Sequence, residues 1–275
     1  MTTLQDWVGR RETSHDTLRQ QPARFMQATL DITPDLTEGD ALPPLWHWLY
    51  FLDAAPAHAL GRDAHPKRGG FLPPVSLPRR MWAGGRLTFN APLILGQDVN
   101  RTSTIKSVNE KQGRSGNLCF VTVEHQIFQG GQLALTEEHD IVYRDDPDPQ
   151  APAPMPRPAP TQAEFCETIT PTEVMLFRYS ALTFNGHRIH YDADYARKVE
   201  GYEGLVFHGP LTATLLAGLA NAQSGRPMSR FEYRGMAPIA GPAPFEIQGQ
   251  KGADATTVWA KRHDGALAMQ ATARF

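Results

Sequence analysis

The sequence predicts an α+β fold in which one unit is built twice: an apolar helix wrapped by a curved antiparallel sheet. Three observations carry that reading. Two hairpin patterns recur, one in each half of the chain. An apolar helical stretch precedes each set of strands. A proline-rich segment separates the halves.

The hairpins come first. Asn117 to Arg144, NLCFVTVEHQIFQGGQLALTEEHDIVYR, is two strand-like runs around Gly130-Gly131. Thr256 to Phe275, TTVWAKRHDGALAMQATARF, repeats the pattern around Asp264-Gly265. A glycine-containing turn between alternating runs is a hairpin signal. Aligning Gly131 with Gly265 also aligns Leu133-Ala134 with Leu267-Ala268. Upstream, Leu87 to Gly96 (LTFNAPLILG) echoes Tyr233 to Gly241 (YRGMAPIAG).

The helical stretches are Pro43 to Leu60 (PPLWHWLYFLDAAPAHAL) and Gly209 to Gln223 (GPLTATLLAGLANAQ). Both are too apolar for a surface helix, so the sheet is expected to wrap them. On this reading Trp46 and Trp48 belong to the core rather than to a binding site. Order, turn type and the shared Ala-Pro pair together indicate duplication. A helix swaddled by a curved antiparallel sheet, present twice, is the double hot-dog architecture.

Between the halves, Asp145 to Gln162 (DDPDPQAPAPMPRPAPTQ) has proline at 147, 149, 152, 154, 156, 158 and 160. Alternating proline blocks helix and removes ladder donors, so an extended linker is expected. The division is an N-terminal half over 1–145, a linker over 146–162 and a C-terminal half over 163–275.

Composition narrows the function. The 275 residues are 41% hydrophobic and 20% charged, with a formal net charge of -2, which is ordinary for a soluble globular protein. No block of like charge offers a footprint for nucleic acid. No apolar run approaches membrane-spanning length, and the N-terminus has no apolar signal core. Cys119 and Cys166 lack metal or redox spacing and read as reduced core residues. A cytoplasmic protein without metal or redox cofactor is expected.

The candidate site lies in FRYSALTFNGHRIHYDADYA, Phe177 to Ala196. Phe177 to Phe184 is rich in strand formers and reads as a strand, with Phe177, Tyr179 and Ala181 on one face. Asn185-Gly186 would turn the chain. His187, Arg188 and His190 follow within four positions. A neutral imidazole takes a proton near pH 7, and an amide orients water without titrating, so His190 and Asn185 are the candidate pair. Asp192 and Asp194 read as caps of the helix that follows. Further on, His208-Gly209-Pro210 opens the apolar helix. A free Gly209 amide at that N-terminus suits a developing oxyanion.

TFNGHRIH, Thr183 to His190, resembles the motif of the MaoC-like (R)-specific enoyl-thioester hydratases and dehydratases. That motif runs Ser-Gly-Asp-x-Asn-Pro-x-His, with Asp and His as its catalytic pair. Its His falls on His190 and its Asp on Asn185, a departure that leaves His190 to carry the base role. The His208-Gly209 pair matches as well, and in the family that glycine amide binds the thioester carbonyl. The phrase FRYSALTFNGHRIHYD and the run GGFLPPVSLPRRMWAGG (Gly69 to Gly85) resemble the branch of itaconyl-CoA and mesaconyl-C4-CoA hydratases and type 2 3-hydroxyacyl-thioester dehydratases.

The resemblance implies water addition to an enoyl-CoA, with His190, Asn185 and Gly209 catalytic. A short dicarboxylic acyl group, as in itaconate degradation, is the first choice, and a fatty 3-hydroxyacyl thioester the runner-up. A non-catalytic acyl-thioester-binding module is the alternative of another class. Substrate contacts are expected from Arg188, Arg234, His187, His208 and Tyr179. Arg79, Arg80 and Arg178 rank below them for a substrate carboxylate or CoA phosphates. The N-terminal half, whose His58 and His65 have unrelated spacing, would shape the acyl pocket without a catalytic loop. A homodimer is compatible with this reading.

Overall fold

The computed structural model describes residues 3–113, 116–146, 155–241 and 243–275. Its N-terminal elements are β1 (Arg11–Thr17), α1 (Gln20–Thr29), β2 (Arg79–Phe89), β3 (Asp98–Gly113), β4 (Gly116–Gln129) and β5 (Gln132–Arg144). There follow β6 (Phe165–Ile169), α2 (Glu173–Leu182), α3 (Ala193–Lys198), α4 (Gly209–Ser224), β7 (Arg230–Gly235), β8 (Phe245–Lys251), β9 (Thr256–Lys261) and β10 (Leu267–Arg274).

The strands form one antiparallel sheet in the order β1-β3-β4-β5-β2-β7-β10-β9-β8-β6. Read outward from the centre, the left side is β2, β5, β4, β3, β1 and the right side is β7, β10, β9, β8, β6. The second series repeats the first, element for element. This is the fold expected of a duplicated unit. The two series join where β2 pairs with β7, from Gly84 opposite Arg234 to Thr88 opposite Arg230. The approach is close: a Cβ on Gly84 would lie 2.5 Å from the Tyr233 carbonyl oxygen. Only glycine fits there.

Both hairpins form as expected. Gly130 and Gly131 have φ of 57° and 82° between β4 and β5, the left-handed angles that a two-residue turn needs. Gly265, at φ 82°, sits in the wider turn between β9 and β10. The helix α4 is the wrapped one. Pro210 lies in its first turn, and Gly225 ends it in the left-handed region at φ 68°. Leu211, Ala213, Leu216, Ala217, Leu219 and Ala220 are all buried. Each such leucine contributes roughly 1.5–3 kcal/mol.

Three expectations fail. Pro43 to Leu60 is no long helix; it makes short 3-10 turns at Trp46–Leu49 and Ala57–Ala59. Leu45 and Phe51, both at positive φ, break the chain there, and Pro56 precedes the second turn. Leu45 to Phe51 is apolar because it is largely buried, not because it is helical, and from Leu52 to His58 the chain is mostly exposed. Phe177 to Phe184 is no strand; Phe177 to Leu182 lies in α2, which the Thr172 hydroxyl caps by accepting from Met175 N at 3.0 Å. That cap outweighs the strand propensity of the aromatic run. Cys166 is exposed on β6, whereas Cys119 is buried in β4, and both are free thiols.

Of the linker prolines, those at 147, 149, 152 and 154 lie outside the described residues. Past them the chain docks on the last hairpin, where Ala159 N donates to Gly265 O and Leu267 N to Arg157 O. Among the described residues, no helix is long and apolar enough to cross a membrane.

Candidate active site

Between the sheet, α2, α4 and the irregular segment after α1 lies a cavity of about 1160 Å³. Both halves line it. From the C-terminal half come Tyr179, Ser180, Asn185, His187, His190 and Gly209. The sequence-predicted pair, His190 and Asn185, thus shares one cavity with the Gly209 amide.

The loop after α2 is built to hold them. Phe184 sits at φ 47°, an angle that costs a non-glycine residue energy. Asn185 N donates to Ser180 O at 2.8 Å and closes the helix end. Asn185 Oδ1 accepts from His187 N at 3.0 Å, an Asx turn. Its oxygen is therefore engaged, and its Nδ2 donor is left for the cavity. A facing loop, Gly61 to His65, braces this one: Arg188 N donates to Asp63 O at 3.2 Å, and a Cβ on Gly186 would come within 3.3 Å of Ala64 O.

His190 is 7% exposed. Its Nδ1 lies 2.7 Å from Val206 O. A carbonyl only accepts, so Nδ1 carries the proton and Nε2 holds a lone pair. The ring stacks on His208 with centroids 3.6 Å apart. Burial pushes the His190 pKa down to about 4; the hydrogen bond to Val206 offsets part of that, and the charge of His65 adds to it. The imidazole is thus neutral at pH 7, as a base requires.

His208, fully buried at the start of α4, pairs its Nε2 with Ser180 Oγ at 2.9 Å and packs edge-on against Tyr179 at 4.8 Å. Burial, then the charges of His190 and His187, hold its pKa well below the usual imidazole value. His208 thus supports the His190 ring and, fully buried, does not line the cavity as expected of a substrate contact, whereas Tyr179 packs on His208 and does line it. Among the described residues, no backbone oxygen accepts from Gly209 N–H. Gly209 lines the cavity, and nothing lies within 4 Å of where its Cβ would be.

The two arginines favoured by sequence are elsewhere. Arg188 pairs with Asp192 at 2.6 Å and lies over the Tyr195 ring, outside the cavity lining. The i,i+4 spacing on the turn after His187 draws it to Asp192. Arg234 is exposed on β7 and does not line the cavity either. Arg178 is exposed and donates to Ala28 O at 3.2 Å. Asp192 caps α3 by accepting from Tyr195 N at 2.9 Å, as expected. The arginines that do line the cavity are Arg79, Arg80 and Arg101.

Sequence reasoning missed which N-terminal side chains line the cavity. His65 packs against His187 with ring centroids 4.4 Å apart, and its Nδ1 lies 3.0 Å from Asp63 Oδ2. Burial, followed by the charges of His65 and His190, takes the His187 pKa down to about 2. Trp48, expected in the core, lines the cavity and donates to Glu137 at 3.0 Å. His47, His125, Glu137 and His139 complete that wall. A signal existed: on β4 and β5, His125, Glu137 and His139 take the inward positions that Val123, Ile127, Leu135 and Ile141 also occupy. Histidine or glutamate in an apolar inward series marks a polar patch inside.

Exposed aromatics mark the mouth. Phe177, Phe184 and Tyr191 line the cavity yet are 66%, 63% and 52% exposed.

Comparison with known proteins gives the family and supports the fold. Residues 45–241 match the family "hydroxyacyl-thioester dehydratase type 2". The mesaconyl-C(4)-CoA hydratase of Chloroflexus aurantiacus is 46% identical over 267 residues, covering 97% of this chain and 95% of that one. The mitochondrial hydroxyacyl-thioester dehydratase type 2 of Schizosaccharomyces pombe is 32% identical, covering 84% of this chain and 87% of its own. In fold, a MaoC-like dehydratase from Phytophthora capsici superposes with a TM-score of 0.71 at 13% identity, over 99% of this chain and 97% of that one. A Mycobacterium tuberculosis protein described as a double hot-dog superposes with a TM-score of 0.54 at 15% identity, over 97% and 96%. The chain belongs to the hydroxyacyl-thioester dehydratase type 2 family.

Proposed function

We propose that the protein adds water reversibly across the double bond of a short dicarboxylic enoyl-CoA, mesaconyl-C4-CoA or itaconyl-CoA, to give citramalyl-CoA. The observation that carries the reading is the buried, neutral His190, its Nδ1 fixed by Val206, sharing one cavity with the Gly209 amide. The 46% identity to a mesaconyl-C(4)-CoA hydratase supports the substrate.

The thioester carbonyl accepts from Gly209 N–H at the start of α4, where the first-turn amides are free and the helix dipole favours negative charge. Water accepts from Asn185 Nδ2 and gives its proton to His190 Nε2. In mesaconyl-C4-CoA, whose double bond is conjugated with the thioester, the oxygen bonds to Cβ while the double-bond electrons move onto the thioester oxygen; itaconyl-CoA enters this step only after its double bond has shifted into conjugation. The enolate is stabilised at Gly209. The imidazolium then returns its proton to Cα, restoring neutral His190. An aspartate at 185 could share the proton; an asparagine cannot, so its role is to orient.

On this proposal the N-terminal half (1–145) shapes the acyl pocket and the C-terminal half (163–275) carries the catalytic loop. The exposed aromatics at the mouth receive the pantetheine arm. A cytoplasmic location and a homodimer fit the same reading.

A second reading is dehydration of a fatty 3-hydroxyacyl thioester. A cavity near 1160 Å³ exceeds what a four- or five-carbon acyl group fills, and this favours it. One assay series separates the readings: ultraviolet loss of the enoyl-thioester chromophore with mesaconyl-C4-CoA, crotonyl-CoA and long-chain 2-enoyl-CoA, and chromatographic detection of citramalyl-CoA formed from itaconyl-CoA. Higher kcat/KM on the dicarboxylic substrates supports the first reading. Preference for long chains overturns it in favour of the second. Binding without turnover on every substrate would leave a thioester-binding module.

A further inference from the structure

The N-terminal wall of the cavity carries polar groups that the hydration mechanism does not use. Ser103, His125 and Glu137 form one cross-strand row on β3, β4 and β5. His139 lies two positions beyond Glu137 and so faces the same way. Aligning Gly131 with Gly265 places Ala271 and Ala273 at the equivalent positions of β10. Those alanines are buried beneath α4. Where one half covers its sheet with a helix, the other leaves a polar band facing the cavity.

The charges in that wall do not balance. Its acid, Glu137, is already held by His47 Nε2 at 2.9 Å and Trp48 Nε1 at 3.0 Å. Among the cations, Arg79 pairs with Glu200 at 2.5 Å. The charge of Arg101 is offset by Asp53, Glu12 and Glu137, and its guanidinium lies over Phe51. Arg80 forms no ion pair among the described residues; the neighbour it meets is the neutral Tyr143 phenol. Its charge bears on His65 and His187 beside the catalytic loop, and on His139 in the band. His139 Nε2 is buried with no hydrogen-bond partner, and its ring packs on Trp82 at 4.3 Å. An unpaired guanidinium and an unpartnered imidazole nitrogen in one wall lack an anionic acceptor.

We propose that Arg80, with His139 beside it, receives a carboxylate carried by the acyl group. The inference rests on the dicarboxylic reading above and names the residue that enforces it. In mesaconyl-C4-CoA the carboxylate is attached to Cβ, the carbon that takes up hydroxide. A cation adjoining the catalytic loop is therefore placed where that group must lie. Pairing also removes the repulsion that a bare carboxylate would exert on incoming hydroxide. Arg80 then sets both specificity and rate.

The test is the ratio of kcat/KM for mesaconyl-C4-CoA over crotonyl-CoA, which lacks the carboxylate. Arg80→Met should lower that ratio by about 10–100-fold, since a hydrogen bond to a charged group is worth one to two decades. Arg80→Lys keeps the charge, loses the fork and should recover part of the ratio. If Arg80→Met fails to fold, Arg80→Lys alone must still show a lowered ratio. A readout independent of turnover is inhibition by succinyl-CoA against butyryl-CoA. The parent protein should prefer succinyl-CoA, and the variants should lose that preference. Equal losses on both substrates, or no loss, overturn the role of Arg80 while leaving the dicarboxylic reading intact. A parent protein that hydrates crotonyl-CoA but not mesaconyl-C4-CoA overturns both.

Discussion

The two halves of this molecule share a strand order and differ in what lies on the inner face of the sheet. In the C-terminal half α4 lies there, and the strands beneath it present Val258, Ala260, Ala271 and Ala273, all buried. In the N-terminal half the equivalent chain, after α1, is irregular, and the strands present His125, Glu137 and His139 to a cavity instead. The lesson is that a duplicated scaffold gains a pocket by failing to repeat one element. The retained helix supplies an amide at its N-terminus. The helix that did not form leaves the space that the amide faces.

The largest effect that this comparison predicts is on acid stability. His190 and His208 in one half, and His125 and His139 in the other, are kept uncharged by burial. His190 titrates near about 4, against 6.5 for a free imidazole. His125 is pushed to about 3. Between those values and 6.5 the unfolded chain binds more protons than the native one. Stability is therefore complete above the free value and falls as pH drops through the window. His190 and His125 would each cost on the order of 3 kcal/mol of stability at the acid end, and His208 and His139 act in the same direction. Urea midpoints measured between pH 4.5 and pH 7.5 (roughly the window that linkage defines) read the slope. His125→Leu should remove about as much of it as His190→Leu. A flat profile would mean that the band is not buried as the catalytic loop is.

Next in size is the loss on His190→Ala, expected at about 10²–10⁴-fold in kcat with the fold retained. The check is the chromophore assay together with a thermal melt. A near-normal rate would take His190 out of the mechanism and leave the polar band of the other half as the place to seek a base.

The comparison can also be broken by exchanging its terms. Ala271→Glu puts the N-terminal half's acid under α4, where no His47 or Trp48 waits for it. An unpaired buried carboxylate should cost roughly 3–5 kcal/mol, read as a lowered urea midpoint. Glu137→Ala removes the acid from the band and leaves two donors beside open cavity, so its cost should be smaller. Equal costs would mean that the cavity is closed to water.

How far the sequence reveals all this depends on which physical signal is local. The glycine turns at 130–131 and 265 are local, and so are Pro210 at the start of α4 and the Asn185 to His190 loop, so each is legible. The helix α2 is misread because its composition favours strand while the deciding cap, Thr172, lies before the apolar run. The stretch from Pro43 to Leu60 is misread because the apolarity of Leu45 to Phe51 reports burial and not helicity. The cavity-lining arginines are ranked below Arg188 and Arg234 for a different reason. Arg188 is adjacent in sequence to the candidate catalytic residues, whereas Arg80 is brought to the cavity that they line by the pairing of β2 with β5. Only the sheet register reveals that proximity.

The smallest prediction concerns the helices that the halves do share. Both α1 and α2 span ten residues and follow the first strand of their half. The Thr172 side chain caps α2, but Arg19 at the equivalent position of α1 makes no side-chain cap. Arg19 is exposed, with φ -61° and ψ 142°, the extended geometry that an N-cap residue adopts. A serine there could accept from the amide of the second or third helical residue without moving the backbone. Thr172→Ala should therefore lower stability by about 0.5–2 kcal/mol, and Arg19→Ser should raise it by somewhat less, since an arginine gives up no cap when replaced. The two helices pack on each other. The double variant consequently tests whether they unfold together. Urea midpoints of the singles that add in the double mean that each cap acts on its own helix. A double variant close to Thr172→Ala alone would mean that α1 gains nothing from a cap while α2 frays, which makes the pair one cooperative unit across the two halves.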